Sequence, residues 1–135
     1  GALDLGLDLG LKAGSRSAGK VMDQVRLTLL LQSVNAGLAK PIDTVFADIA
    51  NVDGLRQMAS DGRDMGFGGM LCIHPSQVAV ANEVYSPTEA EIEWAQKVVA
   101  AASTQSAGAF RLDGRMVDAP VIRQAKLLIS ELCHS

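Results

Sequence analysis

Asp4, Asp48, His74 and Asp118 stand where side chains can reach a ligand: near the ends of expected strands or at the start of a helix. Asp4 lies in Gly1-Ala2-Leu3-Asp4-Leu5-Gly6, beside glycines that permit close approach. An aspartate there caps a turn or offers an oxygen to a hard cation such as Mg²⁺, which fills its octahedron with water and substrate. Asp48 falls at the C-terminal end of an expected strand, the end that faces the active site in parallel α/β folds. Capping the following loop is its simpler role, and Asp43, at the opposite end, reads as structural. His74 follows a strand and precedes Pro75; a lone His there is more often scaffold than catalyst. Asp118 is the natural N-cap of the last helix, yet a cap can also serve a neighbouring chain's site. Arg111, Arg115 and Arg123 lie near it in sequence and read equally as an anion site or as solvated surface.

Other chemistries find no support. There is no Cys/His cluster with zinc spacing, and Ser76 and Ser86 lack a nucleophile-elbow context. Gly66-Phe67-Gly68-Gly69 precedes a strand, so it is neither a P-loop nor a dinucleotide fingerprint. His134 falls near the terminus.

Twelve Lys+Arg against 15 Asp+Glu give a net charge of −3 over 135 residues, with 48% apolar and 20% charged residues. That composition is globular. It carries no basic footprint for nucleic acid and no apolar run approaching the roughly 20 residues of a membrane span. Two cysteines, Cys72 and Cys133, are too few for a disulfide framework, and Cys72 reads as a small buried hydrophobe. The expected setting is cytoplasmic.

The elements that must position these residues alternate. Gly1–Gly6 suits a strand end, and Gly10–Gly19 reads as a loop. A helix is expected from Lys20 to about Leu38, on the spacing of Val21, Val25 and Leu29. Ile42–Ile49 is β-branched and aromatic and reads as a strand. Asn51 or Asp53 caps a helix that Gly66 stops, and Gly69–Ile73 is a further strand, followed by a short helix to about Asn82. Ser86 is expected to cap the next helix, with Pro87 at its first position and Glu89 reaching back, and with Ile92, Ala95, Val99 and Ala102 buried. Asp113-Gly114 makes a two-residue hairpin turn, and Ile122, Ala125, Ile129 and Leu132 line the last helix. The alternation implies right-handed crossovers and a parallel sheet. Residues 1–85 form the sheet-bearing part and residues 86–135 a helical extension with the hairpin. Three short parallel strands leave two open edges, so Gly1, in place of Met and inside a strand end, reads as the opening of a portion of a longer chain.

The ordered series Ile73-His74-Pro75-Ser76-Gln77, Asn82-Glu83-Val84-Tyr85-Ser86-Pro87, Ile92-Glu93-Trp94-Ala95 and Asp113-Gly114-Arg115-Met116-Val117-Asp118-Ala119-Pro120 resembles the citrate lyase β-subunit-like family of CoA-ester lyases. That family includes malyl-CoA and citramalyl-CoA lyases, within the HpcH/HpaI aldolase group. Ile42–Asp48 and Gly1-Ala2-Leu3-Asp4-Leu5 fit the same pattern. The resemblance implies the C-terminal portion of a (β/α)₈ barrel, about strands six to eight, with a C-terminal helical extension. It implies retro-Claisen cleavage of a 3-hydroxyacyl-CoA (citryl-, malyl- or citramalyl-CoA) to acetyl-CoA and a 2-oxo acid, with Mg²⁺ (or Mn²⁺) as Lewis acid. Asp4 then matches a metal ligand and Asp118 the carboxylate that exchanges the acetyl-CoA methyl proton in a neighbouring subunit of a homo-oligomer, trimer or hexamer. Ala2, Leu3, His74 and Pro75 match substrate-binding positions. The family's second metal ligand, a Glu one βα unit earlier, and an early-strand Arg are absent from this sequence, and Leu3 stands where many members carry Glu. The alternatives are a metal-dependent pyruvate aldolase without CoA, or an inactive truncated subunit that acts only in assembly.

Overall fold

The computed structural model describes residues 1–104 and 108–132; Cys133 and His134 lie outside them. They form two compact units, Gly1–Ser86 and Pro87–Ser135. Among the described residues no helix is long and apolar enough to cross a membrane.

The first unit opens with α1 (Ala2–Asp8) and α2 (Arg16–Asn35). The strand end expected at Gly1–Gly6 is therefore helical. Leu3, Leu5, Leu7 and Leu9 alternate as a strand would require, but a strand needs a neighbour to satisfy its backbone, whereas a helix closes its own hydrogen bonds. The compromise shows in the burial: α1 has no buried residue, and Leu3 and Leu7 are 64% and 80% exposed. α2 begins four residues earlier than Lys20, because Ser15 accepts a 3.1 Å bond from the Ala18 N–H and caps it.

β1 (Ile42–Asp43) and β2 (Gly69–Met70) pair in parallel, Ile42 opposite Gly69 and Asp43 opposite Met70. The parallel pairing is as expected; the lengths are not. Residues 44–49 and 71–73 leave the ladder after the Leu71 N–H donates to the Asp43 carbonyl at 3.0 Å. The unit thus has two paired strands rather than three. Cys72 is half-buried at this departure, not enclosed.

α3 (Val52–Met65) is capped by Asn51, whose side chain accepts from the Gly54 N–H at 2.9 Å. It ends at Gly66, whose φ of 110° is the left-handed region that favours glycine. α4 (Pro75–Tyr85) packs on it, and Leu55 and Ala59 of α3 and Ala81 of α4 are buried. Arg56 and Glu83 join the two helices by a bidentate pair at 2.8 and 2.9 Å, which raises the Arg56 pKa and lowers that of Glu83.

The second unit is α5 (Glu89–Thr104), the antiparallel hairpin β3 (Phe110–Leu112) and β4 (Arg115–Val117), and α6 (Ala119–Leu132). Thr88, not Ser86, caps α5: its Oγ1 accepts from the Glu91 N–H at 3.2 Å while Glu91 accepts from the Thr88 N–H at 2.7 Å. This is the expected reciprocal cap, two residues later. Ser86 instead closes α4. Asp113 and Gly114 both have positive φ, 47° and 78°, as the two-residue turn demands. Ala95, Val98, Val117 and Ala125 are buried, and Trp94, Phe110, Ile122 and Ile129 close around them. Val98 replaces the expected Ile92, Val99 and Ala102 at the centre; those three are half-buried.

Candidate functional site

The strand ends carry the best-built polar arrangement. His74 is the N-cap of α4: its Nδ1 accepts from the Ser76 N–H at 3.2 Å and lies 2.8 Å from the Ser76 Oγ. With Nδ1 accepting, the neutral ring carries its proton on Nε2, a donor on an exposed side chain. Pro75 occupies the first helical turn, where a missing N–H costs nothing. Gln77, one turn on, is 1% exposed, and both ends of its carboxamide bond to backbone, at Ile73 and Phe46. Its place inside the Ile73–Gln77 motif was visible in the sequence; its bonds were not. Asp48 is exposed, and its carbonyl accepts from the Asn51 N–H at 3.1 Å, in the loop before α3.

Ala2, Leu3 and Asp4 lie in α1 rather than at a strand end. The Asp4 side chain is 90% exposed, its Oδ2 3.8 Å from the Gly1 nitrogen. Among the described residues no three His, Cys, Asp or Glu side chains gather as a cation site. Asp4 supplies one carboxylate, which does not by itself fit Mg²⁺.

In the second unit, Asp118 caps α6 as expected. Its Oδ1 accepts from the Val121 N–H at 3.2 Å, and its carbonyl accepts from the Ile122 N–H at 3.0 Å. The residue is half-buried, and among the described residues no hydrogen bond reaches Oδ2. Arg115 lies over the Trp94 ring, 5.1 Å from its centroid, while Arg111 and Arg123 are exposed.

A buried ionic cluster, missed in the sequence, holds the first unit. Asp43 is 3% exposed; it accepts from Arg26 Nε at 3.2 Å and from Arg26 Nη2, and from the Thr44 N–H at 2.8 Å. Arg26 also bonds Asp23 at 3.3 Å and lies over the buried Phe67 ring at 5.4 Å. Burial pulls the Arg26 pKa down, but the bond and charge of Asp43, helped by Asp23, more than offset this and hold it above its ordinary value. Gly62 leaves the space: a β-carbon there would meet the Tyr85 hydroxyl at 2.6 Å and Asp43 Oδ2 at 2.7 Å.

The Tyr85 hydroxyl is buried and, among the described residues, has no hydrogen-bond partner. Burial, then the Asp43 charge, push its pKa up to about 12, with Arg26 pulling the other way. The raised value favours the neutral form of the fold. That contribution is intact below the ordinary value of about 10 and is lost as pH climbs through about 12. Tyr85→Phe removes an orphaned hydroxyl, so it is expected to match the parent or exceed it by up to about 1 kcal/mol at neutral pH. Its advantage should grow from pH ~10 to ~12, read from denaturant midpoints of both proteins at each pH. A Tyr85→Phe variant less stable than the parent at neutral pH would show that the hydroxyl is bonded in solution.

The fold and these features define an α/β chain, mostly helical, with a two-stranded parallel ladder and a hairpin-helix unit. No family model matches the chain. Its fold is similar to the crystal structure of the protein CitE from Mycobacterium tuberculosis in complex with magnesium, acetoacetate and coenzyme A, with a TM-score of 0.81 and 37% identity over 96% of this chain and 49% of that one. In sequence it is 38% identical over 132 residues to a citrate lyase subunit beta-like protein of Mycobacterium tuberculosis, covering 96% of this chain and 48% of that protein. It is 33% identical over 126 residues to the mitochondrial citramalyl-CoA lyase of Homo sapiens, covering 90% and 37%. The chain belongs to the citrate lyase β-subunit-like family. It spans about half the length of the curated relatives it matches.

Proposed function

We propose that the chain serves as the C-terminal portion of a CoA-ester lyase that cleaves citryl-, malyl- or citramalyl-CoA to acetyl-CoA and a 2-oxo acid. The observation that carries this reading is the likeness, across 96% of the chain and at 37% identity, to the CitE structure, which holds magnesium, acetoacetate and coenzyme A. In this reading residues 1–85 are the last part of a (β/α)₈ barrel and residues 86–135 its helical extension. Leu3, Leu7, Ile42, Leu71 and Ile73, all more than half exposed, are the faces that further barrel strands would cover.

Cleavage breaks the bond between the carbon bearing the hydroxyl and the carbon alpha to the thioester. The hydroxyl becomes the oxo-acid carbonyl as its proton passes to solvent water, and the electron pair of the broken carbon–carbon bond passes to the thioester as an enolate; the water proton later restores the Asp118 acid. Asp118, as the carboxylic acid, then gives its proton to that carbon, forming the methyl of acetyl-CoA; in condensation its carboxylate takes the proton back. His74 Nε2–H donates to an oxo-acid oxygen, with Ala2, Leu3 and Pro75 as backbone and apolar contacts. Asp4 is one carboxylate toward Mg²⁺, and the rest of that cation site lies beyond the described residues. Mg²⁺ supplies Lewis-acid charge when bound. The protein works in the cytoplasm as a homo-oligomer in which Asp118 serves an adjacent subunit.

The test is acetyl-CoA release from each of the three CoA esters by the protein in its longest natural form, with and without Mg²⁺. Turnover of one ester, lost with chelator and competed by free CoA, is the expected result. Aldol cleavage that free CoA leaves untouched would favour a pyruvate aldolase. Turnover of nothing, with binding to a full-length relative, would make the chain an assembly subunit; the exposed strand edge and the single Asp4 carboxylate favour that second reading over the aldolase.

A further inference from the structure

The backbone ladder between β1 and β2 stops early, and a side chain continues it. Asp43 stands opposite Met70, and the same register carried three residues onward sets Phe46 opposite Ile73. A parallel ladder that continued from the Leu71–Asp43 bond would send the Ile73 N–H to the Val45 carbonyl, and among the described residues that backbone bond is not formed. Instead the Ile73 N–H donates to Gln77 Oε1 at 2.9 Å, and Gln77 Nε2 donates to the Phe46 carbonyl at 2.9 Å. A carboxamide presents one acceptor and one donor face, as a peptide group does. Inserted between two strands, it keeps both backbone groups satisfied but sets the chains wider than the roughly 4.8 Å of a direct ladder.

We propose that Gln77 is a positioning residue: its buried carboxamide is a rung that holds the C-terminal ends of β1 and β2 apart and thereby fixes where His74 presents its Nε2–H. The splayed ends of parallel strands are where α/β chains open a crevice for ligands. Ile73 is clamped by the rung, and His74 is the next residue, its ring already anchored on Ser76. A purely apolar filler of the same volume would seal the space yet leave the Ile73 N–H and the Phe46 carbonyl without partners, and the ends would close or drift. Only the identity of what His74 meets, an oxo-acid oxygen, rests on the lyase reading; the rung does not.

The experiment compares the parent with Gln77→Glu and Gln77→Met. NMR follows the Ile73 amide, the Phe46 carbonyl carbon and the His74 ring from pH 5 to 8. A protonated carboxyl in place of the amide accepts from Ile73 and donates to Phe46, as the amide does; ionised, it has no proton to give and faces a carbonyl. Burial raises the pKa of such a carboxyl, so Gln77→Glu should show parent-like signals at pH 5 and depart from them by pH 8. Gln77→Met should depart at every pH. The ionisable groups of α3, α4 and the strand segments, His74, Glu83 and Asp43 among them, are common to all three proteins, so differences at equal pH report residue 77. With the natural protein and its CoA ester, Gln77→Met should lose at least about tenfold in kcat/KM, and Gln77→Glu should recover toward the parent as pH falls. Parent-like His74 signals in both variants at all pH values would overturn the proposal, as would a Gln77→Glu that never recovers. If the parent cleaves no CoA ester, the lyase reading fails while the NMR comparison still decides the rung. Should Gln77→Met not fold, the pH response of Gln77→Glu decides it alone.

Discussion

Asp43→Ala is expected to destabilise the first unit by about 3 kcal/mol, because it strands a mostly buried guanidinium. That is a large share of the roughly 5–15 kcal/mol that holds a domain folded. Three donors lose their acceptor at once: Arg26 Nε, Arg26 Nη2 and the Thr44 N–H. The loss falls at the low end of the range for broken buried pairs, since Arg26 keeps Asp23 at 3.3 Å and the face of Phe67 at 5.4 Å. The cost belongs to the unpaired charge more than to the missing attraction. Adding Arg26→Met to Asp43→Ala should therefore recover part of it, a sign opposite to that of two independent core losses. Urea midpoints of the parent, both single variants and the double variant measure this. A double variant as unstable as the sum of the singles would show that the two side chains act separately. The cluster joins α2, β1 and, through the space left by Gly62, α3 and Tyr85. Losing it should loosen the strand whose far end the Gln77 rung holds.

Local signals made much of the fold legible. Asp113-Gly114, Gly66, Asn51 and Asp118 each do what their residue type dictates from φ preference or capping, and none depends on a distant partner. The shift of the α5 cap from Ser86 to Thr88 is of the same local kind. Both residues can cap, both have a Glu three residues later, and only packing chooses between them. What stayed hidden is non-local. Whether Gly1–Leu9 or Thr44–Ile49 pairs as strand depends on neighbours, and the bonds of Gln77 to Phe46 span 31 positions. The Arg26–Asp43 pair spans 17. A buried glutamine looks like a surface residue until the fold closes over it, and Asp43, which reads as structural, does not name Arg26 as its partner. Of the candidate site, the positions of His74 and Asp118 at helix starts were readable. Asp4 was not, because the sequence reads its segment as strand and the structure makes it helix.

Asp118 separates capping from catalysis. Asp118→Asn should leave the melting midpoint near that of the parent, because asparagine and aspartate cap equally well and each offers an oxygen to the Val121 N–H. Asn has no proton to exchange at working pH, so turnover of the CoA ester should fall by roughly 10²–10⁴-fold. Deuterium from D₂O should no longer enter the methyl group of acetyl-CoA. Asp118→Ala should lose the same activity and, in addition, about 1 kcal/mol of stability with the cap. If the Asn variant turns over as the parent does, Asp118 is a cap and nothing more. The half-buried carboxylate at the head of α6 uses one oxygen for the cap, and the other is the one proposed to reach a neighbouring subunit's substrate. That arrangement has a separate consequence in mixtures. A chain carrying Asp118→Asn keeps Asp4, and a chain carrying Asp4→Asn keeps Asp118. Random co-assembly puts the two intact groups at one interface in about a quarter of sites, so the mixture should regain activity that neither variant has alone. Groups serving the same chain would give no recovery at any ratio, since every chain would then lack one of the two.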